Sequence, residues 1–204
     1  MIRFTPRRFL TLAVLGLLAG SAHAAGDVAA GKAKFETCTG CHAIPGYTNA
    51  YPTYHVPRLG GQHLDYLVIA LKGYQSGERF HPTMHANAAA LTEQDIQNIA
   101  TYLSGLQMIT TPNPVRGDAA SGKKKSISCA ACHGPDGNGP IPLYPRLAGQ
   151  YEDYLQKAMQ DYKSGKRTNP VMKGMAMPLS EQDIADLAAY FASQAKGLSA
   201  VAQD

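Results

Sequence analysis

Cysteine is scarce in this sequence: only four of the 204 residues are cysteine, and all four lie in two Cys-x-x-Cys pairs. Neither pair is flanked by the alternating, strand-like pattern of a βαβ unit, which argues against a thioredoxin-like redox domain. Long apolar runs are also lacking. The longest, from Phe9 to Ala19, is shorter than the roughly 20 residues that span a bilayer, so we expect no transmembrane helix.

A strong excess of charge is absent as well. The chain has 19 basic and 15 acidic residues, a formal net charge of +4. Three of the arginines lie in residues 1–24, and the remainder has 16 basic against 15 acidic residues, a net charge of +1. This balance gives no reason to expect a nucleic-acid partner, and the short basic run Lys123–Lys125 is typical of a solvated helix face.

The amino-terminal segment has the features of a secretory signal peptide. Residues 1–24 combine a basic start, the apolar run and a small-residue exit at Ala22–Ala24, which is the pattern of an exported, processed chain. We therefore expect cleavage after Ala24 and a mature protein in the periplasm. Peripheral association with the membrane is left open.

The two cysteine pairs are each followed by histidine, in Cys38–His42 and Cys129–His133. A C-x-x-C-H motif supplies two thiols for the vinyl groups of one haem and an imidazole for its iron. Paired zinc knuckles stand about 15 to 20 residues apart, whereas 87 residues lie between Cys41 and Cys129. The sequence thus predicts two covalently bound haem c groups with His42 and His133 as iron ligands, and no disulfide. The predicted attachment residues are Cys38, Cys41, Cys129 and Cys132.

The chain contains an internal repeat. Gly26–Lys32 returns as Gly117–Lys123 with a shift of 91 residues, and the two C-x-x-C-H motifs keep this shift. Beyond the histidine the shift is 88, since Pro57–Gln62 returns as Pro145–Gln150. A duplicated domain is the simplest reading, with a three-residue insertion in the first copy.

The repeat predicts the domain organisation. We expect a first haem c domain at residues 25–111, a linker at 112–116 stiffened by proline, and a second haem c domain at 117–204. Each copy has an all-α pattern with no convincing strand. Terminal helices follow capping boxes, and middle helices end at glycine. The residues concerned are Thr92 with Asp95, Ser180 with Asp183, Gln62–Gln75 before Gly77, and Gln150–Lys163 before Gly165.

One methionine occupies the same place in both copies. Met172 lies 88 residues after Met84, so we expect these thioethers to be the second axial ligands of the two irons. A thioether favours ferrous iron and raises the reduction potential. Met175 and Met177 are rivals, but their counterparts in the first copy are not methionine.

Histidines near Met84 offer an alternative for the first iron. His81 and His85 would give bis-histidine ligation and a lower potential, but the matching positions in the second copy are Asn169 and Lys173. We therefore read the two histidines as exposed or as neighbours of a haem propionate, and His55 and His63 as surface residues. Pro57 and Pro145 are expected to offer backbone carbonyls to the proximal imidazoles.

These motifs resemble those of the cytochrome c4 family of dihaem periplasmic cytochromes. The resemblance covers about residues 26–195 and is strongest in Cys132–Gly139, Pro145–Gln150 and Asn169–Met175. It implies an all-α fold of two tandem class I cytochrome c domains related by pseudo-twofold symmetry, with haem propionates facing each other across the interface. One departure is Ser126, which stands where the first copy has Phe35.

Three functions follow as hypotheses. The first is an electron carrier, not an enzyme, that takes electrons from a quinol-oxidising bc-type complex or a dehydrogenase and passes them to a terminal oxidase. The second is the cytochrome subunit of a periplasmic dehydrogenase, docked through the aromatic loop of Tyr47, Tyr51 and Tyr54. The third, a dihaem peroxidase, requires a role for His81 or His85 at iron.

Overall fold

The computed structural model describes Met1 and residues 25–108 and 114–202. This part of the chain is helical and contains isolated β-bridges but no strand, which confirms the all-α prediction. The expected signal peptide and residues 112 and 113 of the expected linker lie outside the described residues, and the domain boundaries stay predictions. The helices are α1 Val28–His42, α2 Leu64–Ser76, α3 Pro82–Ala88, α4 Glu93–Gly105, α5 Ala119–Lys125, α6 Ala130–His133, α7 Glu152–Ser164, α8 Pro170–Ala176 and α9 Glu181–Ala192.

The first and last helices of each half cross with their backbones in contact. A Cβ atom added to Gly31 of α1 would lie 2.0 Å from the carbonyl oxygen of Asn98 in α4. The equivalent atom on Gly122 of α5 would lie 1.9 Å from the carbonyl oxygen of Asp186 in α9. Only glycine permits so close an approach, because any side chain would push the helices apart. The repeat therefore preserves one helix crossing in both halves.

The predicted caps are confirmed. The Thr92 hydroxyl accepts a hydrogen bond from the Asp95 amide at 3.1 Å, and the Asp95 carboxylate accepts one from the Thr92 amide at 2.9 Å. Ser180 and Asp183 form the same reciprocal pair at the start of α9. The middle helices α2 and α7 end at Gly77 and Gly165, which both have positive φ angles. They begin two residues later than expected.

The helix before the second C-x-x-C-H motif is broken. In the first half, α1 runs without interruption to His42, and Phe35 packs in the core at 2% exposure. In the second half, α5 ends at Lys125 and a 3-10 turn at Ser126–Ser128 precedes α6. Ser126 is buried, but its hydroxyl donates to the carbonyl of Lys123 instead of packing as an aromatic ring. Ile127 also favours helix less than its counterpart Glu36 in α1.

The two halves meet through the repeated Pro-Arg-Leu-Gly/Ala-Gly-Gln motif. The Arg58 amide donates to Gln150 Oε1 at 2.9 Å, and Gln150 Nε2 donates to the Arg58 carbonyl at 2.9 Å. The equivalent pair, Arg146 and Gln62, makes the same two bonds in the opposite sense at 2.8 and 3.0 Å. Such reciprocity is the mark of a twofold interface, so the pseudo-twofold arrangement is confirmed.

A second symmetric contact lies where α2 and α7 end. The amide of Phe80 donates to the carbonyl of Lys166 at 2.9 Å, and the amide of Thr168 donates to the carbonyl of Glu78 at 3.1 Å. Arg79 and its repeat equivalent Arg167 are thereby paired across the axis. Every helix within the described part of the chain is too short or too polar to cross a membrane.

Candidate haem sites

Both histidines that are expected to bind iron are held in one orientation. His42 ends α1 and His133 ends α6, and their side chains are 9% and 6% exposed. The Nδ1 atoms lie 3.0 Å from the carbonyl oxygen of Pro57 and 2.9 Å from that of Pro145, which confirms the predicted contacts. A carbonyl can only accept, so each Nδ1 carries the proton and each Nε2 keeps a lone pair. This is the tautomer that a metal ligand needs.

Burial also keeps these imidazoles neutral. Loss of solvent lowers the pKa of His42 and of His133 below the ordinary histidine range, and a neutral ring is the form that binds iron. Burial raises the pKa of the Cys38 and Cys129 thiols. All four cysteines are free and partly buried, so each pair can form two thioethers.

The expected methionine ligands lie on matched short helices. Met84 is in α3 and Met172 in α8, both side chains are half-buried, and each helix has proline at its first position. The rivals Met175 and Met177 are 36% and 54% exposed. Met172 is thus the better-shielded thioether of α8, although the ligand role of either methionine stays a prediction.

His81 has a structural role that sequence analysis missed. Its Nδ1 atom accepts a hydrogen bond from the Met84 amide at 3.2 Å, and Asn169 Oδ1 does the same for the Met172 amide at 3.0 Å. His81 is therefore the N-cap of α3, as Asn169 is of α8. The signal was available, because proline at the next position is typical of a helix start. His85 is an exposed residue of α3, and its Nδ1 donates a hydrogen bond to the Tyr74 carbonyl at 2.8 Å.

Two other histidines join the halves. Expected as surface residues, His55 and His63 both make contacts across the interface. His55 Nδ1 lies 2.7 Å from Asp153 Oδ2, and His63 Nε2 donates to the carbonyl of Gly139 at 2.8 Å. Tyr151, the repeat equivalent of His63, accepts through its hydroxyl from the Gly46 amide at 2.9 Å. His63 and Tyr151 are the N-cap residues of α2 and α7, and each reaches the loop that follows the haem-binding motif of the other half.

The aromatic loop of the first half is only partly exposed. Tyr51 is 95% exposed and Tyr47 is 41% exposed, whereas Tyr54 is buried at 7%. Burial and nearby phenols raise the pKa of Tyr54 to about 12. Tyr54 therefore packs inside the molecule, and the surface offered by this loop consists of Tyr47 and Tyr51.

Positive charge at the interface, from buried Arg167 and partly buried Arg79, fits an anionic cofactor. Arg79 donates to the hydroxyls of Tyr66 and Tyr154, both at 3.3 Å, and Arg167 donates to the Tyr154 hydroxyl at 3.2 Å. Among the described residues, neither guanidinium is ion-paired with a carboxylate, and the Nε of Arg79 has no hydrogen-bond partner. Buried charges need a counter-charge. Haem propionates are groups of the required sign, so the donor set and the charge both fit haem.

Comparison with known proteins gives the family. The family model described as Cytochrome c matches residues 28–107 and 119–195. Cytochrome c4 of Azotobacter vinelandii is 32% identical over 203 residues, which cover 89% of this chain and 93% of that protein. Cytochrome c4 of Pseudomonas aeruginosa is 60% identical over 78 residues, but this match spans only 38% of this chain and 39% of that protein.

A solved structure of a longer chain is also similar to this protein. The thiosulfate dehydrogenase TsdBA of Marichromatium purpuratum superposes with a TM-score of 0.72 at 29% identity, covering 82% of this chain and 40% of that one.

Each of the two family-model matches contains one C-x-x-C-H motif, which fits two covalently bound haem c groups. The chain therefore belongs to the cytochrome c4 family, and it is a dihaem cytochrome c that carries electrons.

Proposed function

We propose that this protein is a periplasmic electron carrier in which each iron is held between a histidine and a methionine. The pairs are His42 with Met84 and His133 with Met172. One observation carries the proposal: in both halves a buried imidazole with its Nδ1 bonded to a proline carbonyl is combined with a half-buried methionine on a capped short helix. The haem supplies the one-electron ferric/ferrous couple.

The chain contributes ligands, fixed geometry and exclusion of water. The carbonyls of Pro57 and Pro145 hold each imidazole and increase its basicity, while the two thioethers raise the potential. A histidine and a methionine from the chain would leave neither iron an open site for substrate. The bound groups would then exchange electrons only, which supports a carrier rather than an enzyme.

The interface supports transfer between the two haems. The reciprocal Arg58–Gln150 and Arg146–Gln62 bonds fix the halves against each other. Arg79 and Arg167 pair across the axis, where they would serve as counter-charges for haem propionates. Because the halves are fixed, two bound haems would keep one separation, which would support electron transfer between them.

The proposed partners are redox proteins of the membrane and the periplasm. A quinol-oxidising bc-type complex or a periplasmic dehydrogenase is the donor, and a terminal oxidase is the acceptor. The expected signal peptide places the mature chain on the same side of the membrane as these partners, with peripheral membrane association through them.

A second candidate is the cytochrome subunit of a dehydrogenase. It is favoured by the superposition on part of a longer thiosulfate dehydrogenase chain and by the exposed Tyr51. Purification of the exported protein under gentle conditions distinguishes the two. A stable complex with a dehydrogenase subunit supports this candidate, and a free chain that reduces several acceptors supports the carrier.

Replacement of either methionine tests the proposal directly. We expect Met84→Leu and Met172→Leu each to abolish the near-infrared sulfur-to-iron band of one ferric haem and to lower its reduction potential, because leucine fills the space without a ligand atom. Met175→Leu is the matched control and is expected to change neither. Retention of both bands in Met84→Leu and Met172→Leu proteins would refute the assignment.

The peroxidase hypothesis is tested at His81. His81→Asn copies the cap of the second half, and we expect it to leave both potentials and the optical spectrum unchanged, because asparagine is also a good N-cap. His81→Ala is expected to cost about 1 kcal/mol of stability through loss of the cap. A changed ferric spectrum in His81→Asn, or hydrogen peroxide turnover by the unaltered protein, would instead place His81 at iron.

A further inference from the structure

Residues 197–202 leave the second half and pack on the first. Leu198 still donates its amide to the carbonyl of Ala148 at 2.8 Å in the second half. The next residue, Ser199, exchanges two backbone hydrogen bonds with Gly60 of the first half, both at 3.0 Å. Its hydroxyl also donates to the carbonyl of Gln107 at 2.9 Å. We call residues 197–202 the carboxyl-terminal strap.

The strap contributes a side chain to the core of the first half. Val201 is 2% exposed and packs in the cluster that contains Phe35 and Tyr102, while Leu198 is fully buried. Gly197 allows the crossing, because a Cβ atom there would lie 2.1 Å from the Ala148 carbonyl oxygen. Because Leu198 and Val201 are buried, burial of apolar surface fixes the strap against both halves.

The strap touches both parts of the first proximal site. Gly60 lies three residues after Pro57, whose carbonyl orients His42. The amide of Val201 lies 3.5 Å from the backbone carbonyl of His42 itself. The strap is therefore in contact with the peptide that carries the ligand and with the segment that carries its hydrogen-bond acceptor.

The second half has no equivalent arrangement among the described residues. Ala148 is the repeat counterpart of Gly60, and its amide lies 3.3 Å from the Gly137 carbonyl within the same half. In the ranges 25–108 and 114–202, the strap contact at the first proximal site therefore has no counterpart at the second site, which the first half contacts through Gln62 and His63 instead.

We propose that the carboxyl-terminal strap is a positioning element through which the second half sets the reduction potential of the first haem. The inference rests on the proposed function, since it concerns an axially ligated haem. Ser199 fixes Gly60, three residues after Pro57, and Val201 completes the core that contains Phe35. Together they would hold the hydrogen bond between the Pro57 carbonyl and the His42 imidazole, which is a contact that tunes the potential of a bound haem.

The experiment compares two aspartate substitutions at neighbouring positions. Val201→Asp places a charge in the core of the first half, whereas Ala202→Asp places it on an exposed residue. In the full-length holoprotein, we expect Val201→Asp to lower one of the two midpoint potentials and to move the paramagnetically shifted proton resonances of one haem only. Hydrogen exchange of the Gly60 amide is expected to become about tenfold faster or more. Ala202→Asp is expected to resemble the unaltered protein.

Milder variants keep the test valid if Val201→Asp fails to fold. Val201→Ala is expected to shift the same potential by less. Val201→Ile keeps a branched apolar side chain and is expected to leave that potential unchanged. Unchanged potentials in both Val201→Asp and Val201→Ala, or equal shifts at both haems, would overturn the proposal. The proposed function fails separately, because its failure appears in the unaltered protein as a missing sulfur-to-iron band.

Discussion

Replacement of both Cys129 and Cys132 by alanine is expected to reduce the covalently bound haem from two groups per chain to one. Each C-x-x-C-H motif serves a single half of the repeat, so loss of one thiol pair removes one pair of thioethers and leaves the other intact. The measurement is a pyridine haemochrome titration with the intact mass of the exported protein. We expect the mass to fall by one haem beyond the change in the side chains.

The matched variant replaces Cys38 and Cys41. It is expected to retain the second haem only, so the two proteins together assign each set of spectroscopic signals to one half. A loss of stability is expected in both double variants, because Cys38 packs against the core that contains Phe35 and Val201 and Cys129 packs against the second core, so a missing haem would leave either core incomplete. Full haem content in either double variant, or haem that acidified acetone extracts from the unaltered protein, would contradict covalent attachment.

A Gly31→Ala protein is expected to be strongly destabilised, by about 1 to 3 kcal/mol or more. The added methyl group would meet the Asn98 carbonyl at 2.0 Å, and backbone of a packed helix cannot move aside as a flexible side chain can. Relief requires α1 to separate from α4, which loosens the helix that carries His42. Denaturant unfolding of the holoprotein, followed by helical circular dichroism, measures the effect.

Gly105→Ala is the matched control in the same helix pair. Nothing lies within 4 Å of a Cβ atom at Gly105, so the substitution is expected to be neutral or to stabilise by about 0.5 to 1 kcal/mol through helix propensity. Gly122→Ala should reproduce the destabilisation in the second half. If Gly31→Ala and Gly105→Ala unfold at the same denaturant concentration, the close crossing of α1 and α4 is wrong.

The local features of this protein were predictable from the sequence. The C-x-x-C-H motifs, the capping boxes at Thr92 and Ser180, and the glycine ends of α2 and α7 all depend on residues a few positions apart. The internal repeat allowed equivalent residues of the two halves to be compared, such as Met84 with Met172 and Pro57 with Pro145. The structure confirms the expected contacts of the two histidines with the Pro57 and Pro145 carbonyls, whereas the ligand roles of Met84 and Met172 stay predictions.

The contacts between the halves were not predictable in this way. His55, His63 and Ser199 take their roles from residues that are between 76 and 139 positions away, and no local pattern encodes how two domains dock. The break before α6 was missed for a related reason. The second copy has Ser126 where the first has the buried Phe35, and the sequence alone did not show that this replacement would accompany a break in the helix.

The reciprocal arginine and glutamine bonds have an evolutionary consequence. A surface that binds a rotated copy of itself needs only one set of residues to form both sides, so the arginine and glutamine of one copy suffice for this set of bonds. Because both copies lie in one chain, their pairing is intramolecular and independent of protein concentration. Once tethered, the copies no longer had to remain identical, and one of them was free to specialise.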